Sequence, residues 1–133
     1  MKVVVCGTFD LFHEGHQELI LYAQLIGELE RIFITTNEFV ANKKKLKQRL
    51  VTRMDMLKMF GVEVTPICDK ELFQEQIKAL SPCILLHGND HNINTLSEIY
   101  GVEHDWWIDN NIYLLYKDRK QGISSTELRK QYE

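Results

Sequence analysis

The sequence predicts a single α/β domain with helices on both faces of a parallel sheet, and three observations carry that expectation. Apolar runs of strand length alternate with helical patterns along the chain, the order that produces parallel strands joined by crossover helices. The first apolar run leads into a junction of glycine and histidine, Gly7-Thr8-Phe9-Asp10-Leu11-Phe12-His13-Glu14-Gly15-His16. The last leads into a second polar junction, Arg119-Lys120-Gln121-Gly122-Ile123-Ser124-Ser125-Thr126-Glu127-Leu128-Arg129. Ligands of such sheets bind beyond the carboxyl ends of the strands, where both junctions fall.

Taken in order, Lys2–Cys6 reads as the first strand, built on Val3-Val4-Val5, and Glu14–Ile26 as the helix that follows it. Arg31–Thr36 reads as strand, Leu50–Phe60 as helix, Val62–Ile67 as strand and Lys70–Leu80 as helix. Cys83–His87 is the fourth strand and Ile112–Tyr116 the fifth. Ser124, with Glu127 three residues on, matches a capping box, so a terminal helix should start at Ser124 or Ser125. The stretch 89–111, which includes Trp106-Trp107, interrupts the alternation. A connection of that length in a compact domain is commonly a functional lid or holds a short helix of its own.

Bulk properties narrow the function classes. A chain of 133 residues forms one domain, 1–133, with a core large enough to need no disulfide or metal. A net charge of −3 provides no bulk attraction to nucleic acid or to acidic membrane, so any phosphate binding must come from local clusters. Cys6, Cys68 and Cys83 are odd in number and unpatterned, which fits the thiols of a reduced protein. The amino terminus opens directly on a strand, without a leader or spanning segment, and the expected location is the cytoplasm, with no membrane insertion.

The first junction suits a nucleotide phosphate. A glycine turn that enters a helix delivers backbone N–H groups, and His13 and His16, three apart, place two imidazoles on one face of the first turn. Gly15 between them lets backbone or ligand approach closely. Two surface histidines, or half a metal site, would be the ordinary explanation of the spacing alone. The second junction adds hydroxyls and N–H groups at a helix start, with Arg119 as a forked donor, although a plain capped helix would look the same.

Together the two junctions resemble the HxGH nucleotidyltransferases, in particular the cytidylyltransferases that activate glycerol 3-phosphate, phosphoethanolamine and phosphocholine. The matching pieces are GTFDLFHEGH at 7–16, RKQGISST at 119–126 against that family's RTEGISTT, and His87-Gly88-Asn89-Asp90 after the fourth strand. The resemblance spans nearly the whole chain. It implies a Rossmann-like three-layer α/β/α fold with a five-stranded parallel sheet. The implied activity moves CMP from CTP to a small phospho-alcohol, forming a CDP-alcohol and pyrophosphate with Mg²⁺ on the nucleotide phosphates. Related enzymes are dimers, so a homodimer is expected, and apolar surface around Trp106-Trp107 would serve it.

The resemblance also implies roles. His13, His16, Lys44 and Arg119 would be catalytic. Gly7, Thr8, Phe9, Gly15, Gly88, Asp90, Gly122, Ile123, Ser124, Ser125 and Thr126 would bind the nucleotide, while Asp10, Lys45 and Arg53 would bind the acceptor. Lys43 and Lys45 compete with Lys44 for register, and a lysine run is ordinarily a solvated loop. Arg53 could equally serve a subunit interface, and Asp10 or Asp90 could merely close a turn. No spacing indicates a metal site, although His13, His16, His87 and His91 could converge on one.

His91 stands where the glycerol-phosphate enzymes carry tryptophan, and the tryptophan and lysines of their helix before the fourth strand are absent here. Trp106 or Trp107 could cover an ammonium by cation–π contact or pack in the core. An HxGH adenylyltransferase using ATP and a catalytically silent nucleotide-binding regulator are the alternatives.

Overall fold

Three consecutive valines, Val3, Val4 and Val5, are all fully buried because their strand is the middle of the sheet. A computed structural model describes residues 1–40, 46–88 and 91–118 of the chain. In it β1 (Lys2–Gly7), β2 (Glu28–Thr35), β3 (Val64–Ile67), β4 (Cys83–Gly88) and β5 (Ile112–Lys117) pair in the order β3-β2-β1-β4-β5, every pair parallel. The helices are α1 (Glu14–Ile26), α2 (Asn37–Val40), α3 (Leu50–Leu57), α4 (Lys70–Leu80), α5 (Ile93–Tyr100) and α6 (His104–Asp109). The predicted five-stranded parallel α/β architecture is the one observed.

Alternation along each strand sorts the core into two layers. Val3 and Val5 with Ile32, Ile34 and Leu86 meet Ile20 and Ala23 of α1 and Leu57 of α3 on one face. Val4, Phe33, Cys83 and Leu85 meet Phe73 and Ile77 of α4, Leu96 and Tyr100 of α5 and Trp107 of α6 on the other. The order places β4 beside β1 after the chain has run outward through β2 and β3. A crevice therefore opens between the carboxyl ends of β1 and β4, the usual place for a ligand in such a sheet.

Several boundaries differ from expectation. β2 begins at Glu28, earlier than Arg31, because its pairing with β1 starts at Lys2 opposite Glu28, and ladder pairing does not require apolar side chains. β3 begins at Val64, where pairing with Ile32 of β2 starts, so Val62 falls outside the strand. The helix expected to reach Phe60 gives way after Leu57 to a 3₁₀ turn, Lys58–Phe60, ended by Gly61 at φ 67°. That left-handed position is one a side chain resists.

The stretch 89–111 contains two helices, α5 and α6, separated by Gly101 at φ 68°. Asn92 caps α5 by accepting from the N–H groups of Asn94 and Thr95. Trp107 is buried in the chain's own core, edge-on to Phe73 at 6.1 Å, with its Nε1 donating to Ser97 Oγ at 2.9 Å. Trp106 packs against the same cluster. Of the uses open to this pair, packing in the core is the one observed, with Trp107 buried and Trp106 half-buried, and burial of their area stabilises the end of the sheet, while Ile108 of the same helix stays exposed.

Ser97→Ala is expected to leave the indole N–H of Trp107 buried without its acceptor and to destabilise the protein by about 1–3 kcal/mol. Urea denaturation with an unchanged midpoint would show that this hydrogen bond contributes nothing.

Candidate active site at the carboxyl end of the sheet

The loop that leaves β1 carries two strained residues, Phe9 at φ 54° and Leu11 at φ 52°. Left-handed backbone at bulky residues costs on the order of 1–3 kcal/mol each and persists only where surrounding structure enforces it. Here the enforcing contacts are explicit. Asp10, between the two strained positions and 1% exposed, accepts from the N–H groups of Lys47 and Gln48, both at 3.0 Å. Gln48 answers with its Oε1, which accepts from Leu11 N–H at 3.0 Å.

Arg53 adds a third tie from beneath. It is fully buried on α3, and its Nη1 donates to the carbonyls of Thr8 (2.7 Å) and Thr35 (2.8 Å). Nη2 donates to Asn37 Oδ1 at 2.9 Å. Burial pulls the guanidinium pKa down and the nearby Asp10 charge opposes that shift; the group remains a cation. Its Nη groups thus join the carboxyl ends of β1 and β2, and the acceptor-binding role expected of Arg53 meets a side chain already engaged with its own backbone. Asp10 is engaged in the same way.

His13 is the N-cap of α1. Its Nδ1 accepts from Gly15 N–H at 2.9 Å, and His16 Nδ1 accepts from His13 N–H at 3.3 Å, a reciprocal capping box made by two imidazoles. The rings stack with centroids 3.8 Å apart and planes 23° from parallel, so the expected common face is observed. Because each Nδ1 accepts, each neutral ring carries its proton on Nε2. The helix start therefore carries an N–H donor on each imidazole, while the Gly15 amide is engaged by His13. Phe9 and Phe12 hold the His16 ring, both at 5.4 Å between centroids.

Across the crevice, His87 and Gly88 end β4, with His87 Nδ1 2.8 Å from the Gly88 carbonyl. A pocket of about 90 Å³ lies here, lined by residues that include Gly7, Thr8, Thr35, His87 and Tyr100. Among the described residues, no group of three or more His, Cys, Asp or Glu side chains is placed to hold a metal ion. No helix among them is long and apolar enough to cross a membrane.

The structure thus gathers Gly7, Thr8, Phe9, Asp10, His13, Gly15, His16 and Arg53 at the end of β1, with Gly88 on the adjacent strand. Lys43, Lys44, Lys45, Asp90, Arg119, Gly122, Ile123, Ser124, Ser125 and Thr126 lie outside the described residues. Sequence reasoning missed Gln48, Thr35 and Tyr100. Two polar residues, Thr35-Thr36, closing an apolar strand were a usable signal; nothing local marked Gln48 or Tyr100.

Asp10→Ala is expected to free the amides of Lys47 and Gln48, speeding their hydrogen exchange at least tenfold. It should also lower stability by about 2–3 kcal/mol, the range for a hydrogen-bonded charge. Unaltered exchange at both amides would mean that the clasp does not hold the loop.

With this geometry in place, comparison with known proteins is informative. The family model for cytidylyltransferase-like domains matches residues 4–131. The glycerol-3-phosphate cytidylyltransferase of Bacillus spizizenii is 25% identical over 134 residues, covering 97% of this chain and 95% of the relative. The phosphopantetheine adenylyltransferase of Thermococcus gammatolerans is 39% identical over 64 residues, 46% of this chain and 40% of the relative. Among solved structures, the lipopolysaccharide core biosynthesis protein of Thermoplasma volcanium superposes with a TM-score of 0.68 at 13% identity, covering 91% of this chain and 98% of its own. The match over nearly the full length, on a chain whose HxGH histidines cap the helix after β1, shows that this protein belongs to the cytidylyltransferase-like family of nucleotidyltransferases.

Proposed function

We propose that the protein transfers CMP from CTP to the phosphate of a small phospho-alcohol, releasing pyrophosphate. The observation that carries this reading is the stacked His13–His16 pair, which caps α1 through both Nδ1 atoms where the chain leaves the carboxyl end of β1. An oxygen of the acceptor phosphate attacks the α-phosphorus. As that P–O bond forms, the bond from the α-phosphorus to the bridging β-oxygen breaks, and pyrophosphate leaves with its electron pair. Both reactants are anions, so no protein nucleophile is needed; the site must align them and neutralise charge.

In this reading the two Nε2–H groups donate to phosphate oxygens as charge builds. The Asp10 clasp and the Arg53 ties hold the loop that places them. Mg²⁺ brought by CTP would offset phosphate charge and would require no dedicated protein cage. Lys44, or its neighbours Lys43 and Lys45, with Arg119 and the 122–126 segment, would complete the phosphate contacts, and Asp90 would face the base. Homodimeric assembly in the cytoplasm, expected from the resemblance and the composition, belongs to the same reading. A second reading, adenylyl transfer from ATP, is favoured by the stretch shared with the Thermococcus adenylyltransferase.

Pyrophosphate release from CTP in the presence of a phospho-alcohol panel, with ATP as the parallel arm, tests the assignment; equal or faster release from ATP moves it to adenylyl transfer. Two variants separate capping from chemistry. His16→Asn keeps an acceptor near the Nδ1 position and removes the Nε2 donor, so stability should hold while kcat falls ~10²–10³-fold. His16→Gln keeps a donor at the reach of Nε2 and loses the cap, so it should retain more activity and less stability. Equal turnover in the wild type and His16→Asn would exclude this histidine from the transition state.

A further inference from the structure

The pocket beside the HxGH loop has a described lining that is mainly apolar, with several of its polar groups hydrogen-bonded to protein atoms. It lies between the carboxyl ends of β1, β2 and β4 and the side of α5, and it shares Gly7 and Thr8 with the loop that leads to His13. Thr35 Oγ1 donates to Thr8 Oγ1 at 3.3 Å. Burial keeps the Cys6 thiol and the Tyr100 phenol protonated, with the Cys6 pKa pushed up to about 11. His87 Nδ1 lies 2.8 Å from the Gly88 carbonyl, and His91 Nδ1 lies 3.4 Å from Thr95 Oγ1. Among the described lining residues there is no Asp, Glu, Lys or Arg.

The surface left to a ligand is mainly that of Phe39, Leu96, Ile99 and the Tyr100 ring. The aromatic rings do not form an open cage for a cation: Tyr100 has one face stacked on Phe73 at 3.7 Å, and Phe39 leans on Tyr100 with centroids 5.9 Å apart. By proportion to the benzene-sized cavity of ~150 Å³, a volume near 90 Å³ holds about four non-hydrogen atoms.

Resting on the cytidylyl-transfer reading, we propose that this pocket receives the alcohol portion of the phosphate acceptor and selects an uncharged, mainly apolar one, a short linear or branched alkyl phosphate. An ammonium or a set of hydroxyls entering here would lose its water hydrogen bonds against described walls that are mainly apolar. An alkyl group loses nothing of that kind and gains burial. Discrimination is steep when polar groups are left unmatched.

The test compares n-propyl phosphate, phosphoethanolamine and glycerol 3-phosphate as acceptors with CTP and Mg²⁺, reading kcat/KM from pyrophosphate release, with CTP binding measured separately by calorimetry. The expected result is at least a tenfold preference for n-propyl phosphate over each of the other two. Ile99→Asp, which sets a carboxylate in the half-buried wall of the pocket, should shift the propyl-to-ethanolamine ratio at least tenfold toward phosphoethanolamine. Ile99→Trp, which fills the space, should lower kcat/KM for n-propyl phosphate. A wild-type preference for phosphoethanolamine or glycerol 3-phosphate with CTP bound, or ratios unmoved by both variants, overturns this proposal while nucleotidyl transfer stands. Absence of CTP binding overturns both.

Discussion

The buried guanidinium of Arg53 is the contact on which the arrangement of the site depends. Its Nη1 joins the Thr8 carbonyl to the Thr35 carbonyl, so the ends of β1 and β2 are held by one cation. A buried charge is tolerable only when hydrogen-bonded and partnered, and here two carbonyl dipoles and Asn37 Oδ1 provide that, with Asp10 near enough to favour the charged form. Above it, Asp10 and Gln48 tie the strained loop to the segment after the lysine run. Remove any of these ties and the left-handed backbone at Phe9 and Leu11 has less to enforce it.

That strained loop is what aims α1. A chain leaving β1 must turn sharply to place its helix beside the sheet, and the N-cap it uses is itself a side chain of the proposed site. His13 and His16 take the part that serine and glutamate play in an ordinary capping box. One nitrogen of each ring completes the backbone and the other carries the N–H. In the proposed reaction, structural and chemical duties fall on opposite edges of the same imidazole, so a substitution that removes the whole ring would disturb both.

The sheet order explains why two unlike surfaces meet at one crevice. Because β4 returns to pair with β1, the HxGH loop on the α1 side stands next to His87 and Gly88, while the α5 side contributes Leu96, Ile99 and Tyr100. Among the described residues, one side is polar and the other mainly apolar. A phosphate ester has that same division between its anionic and its organic part.

How much of this was legible in the chain follows from the range of each interaction. Alternating apolar runs, the valine strand and the His13–His16 spacing are local patterns, so the five parallel strands, the shared face of the imidazoles and the position of the junctions at strand ends were determined by the sequence itself. The direction in which Asp10 and Arg53 turn was decided by partners 16 to 45 residues away, which no local period encodes. The same holds for Trp107, whose burial depends on how α6 packs against Phe73 and Ser97. Helix and strand identity is a near-neighbour property of backbone and patterning. The matching of one polar group by another across the fold exists only once tertiary packing has brought them within hydrogen-bonding distance.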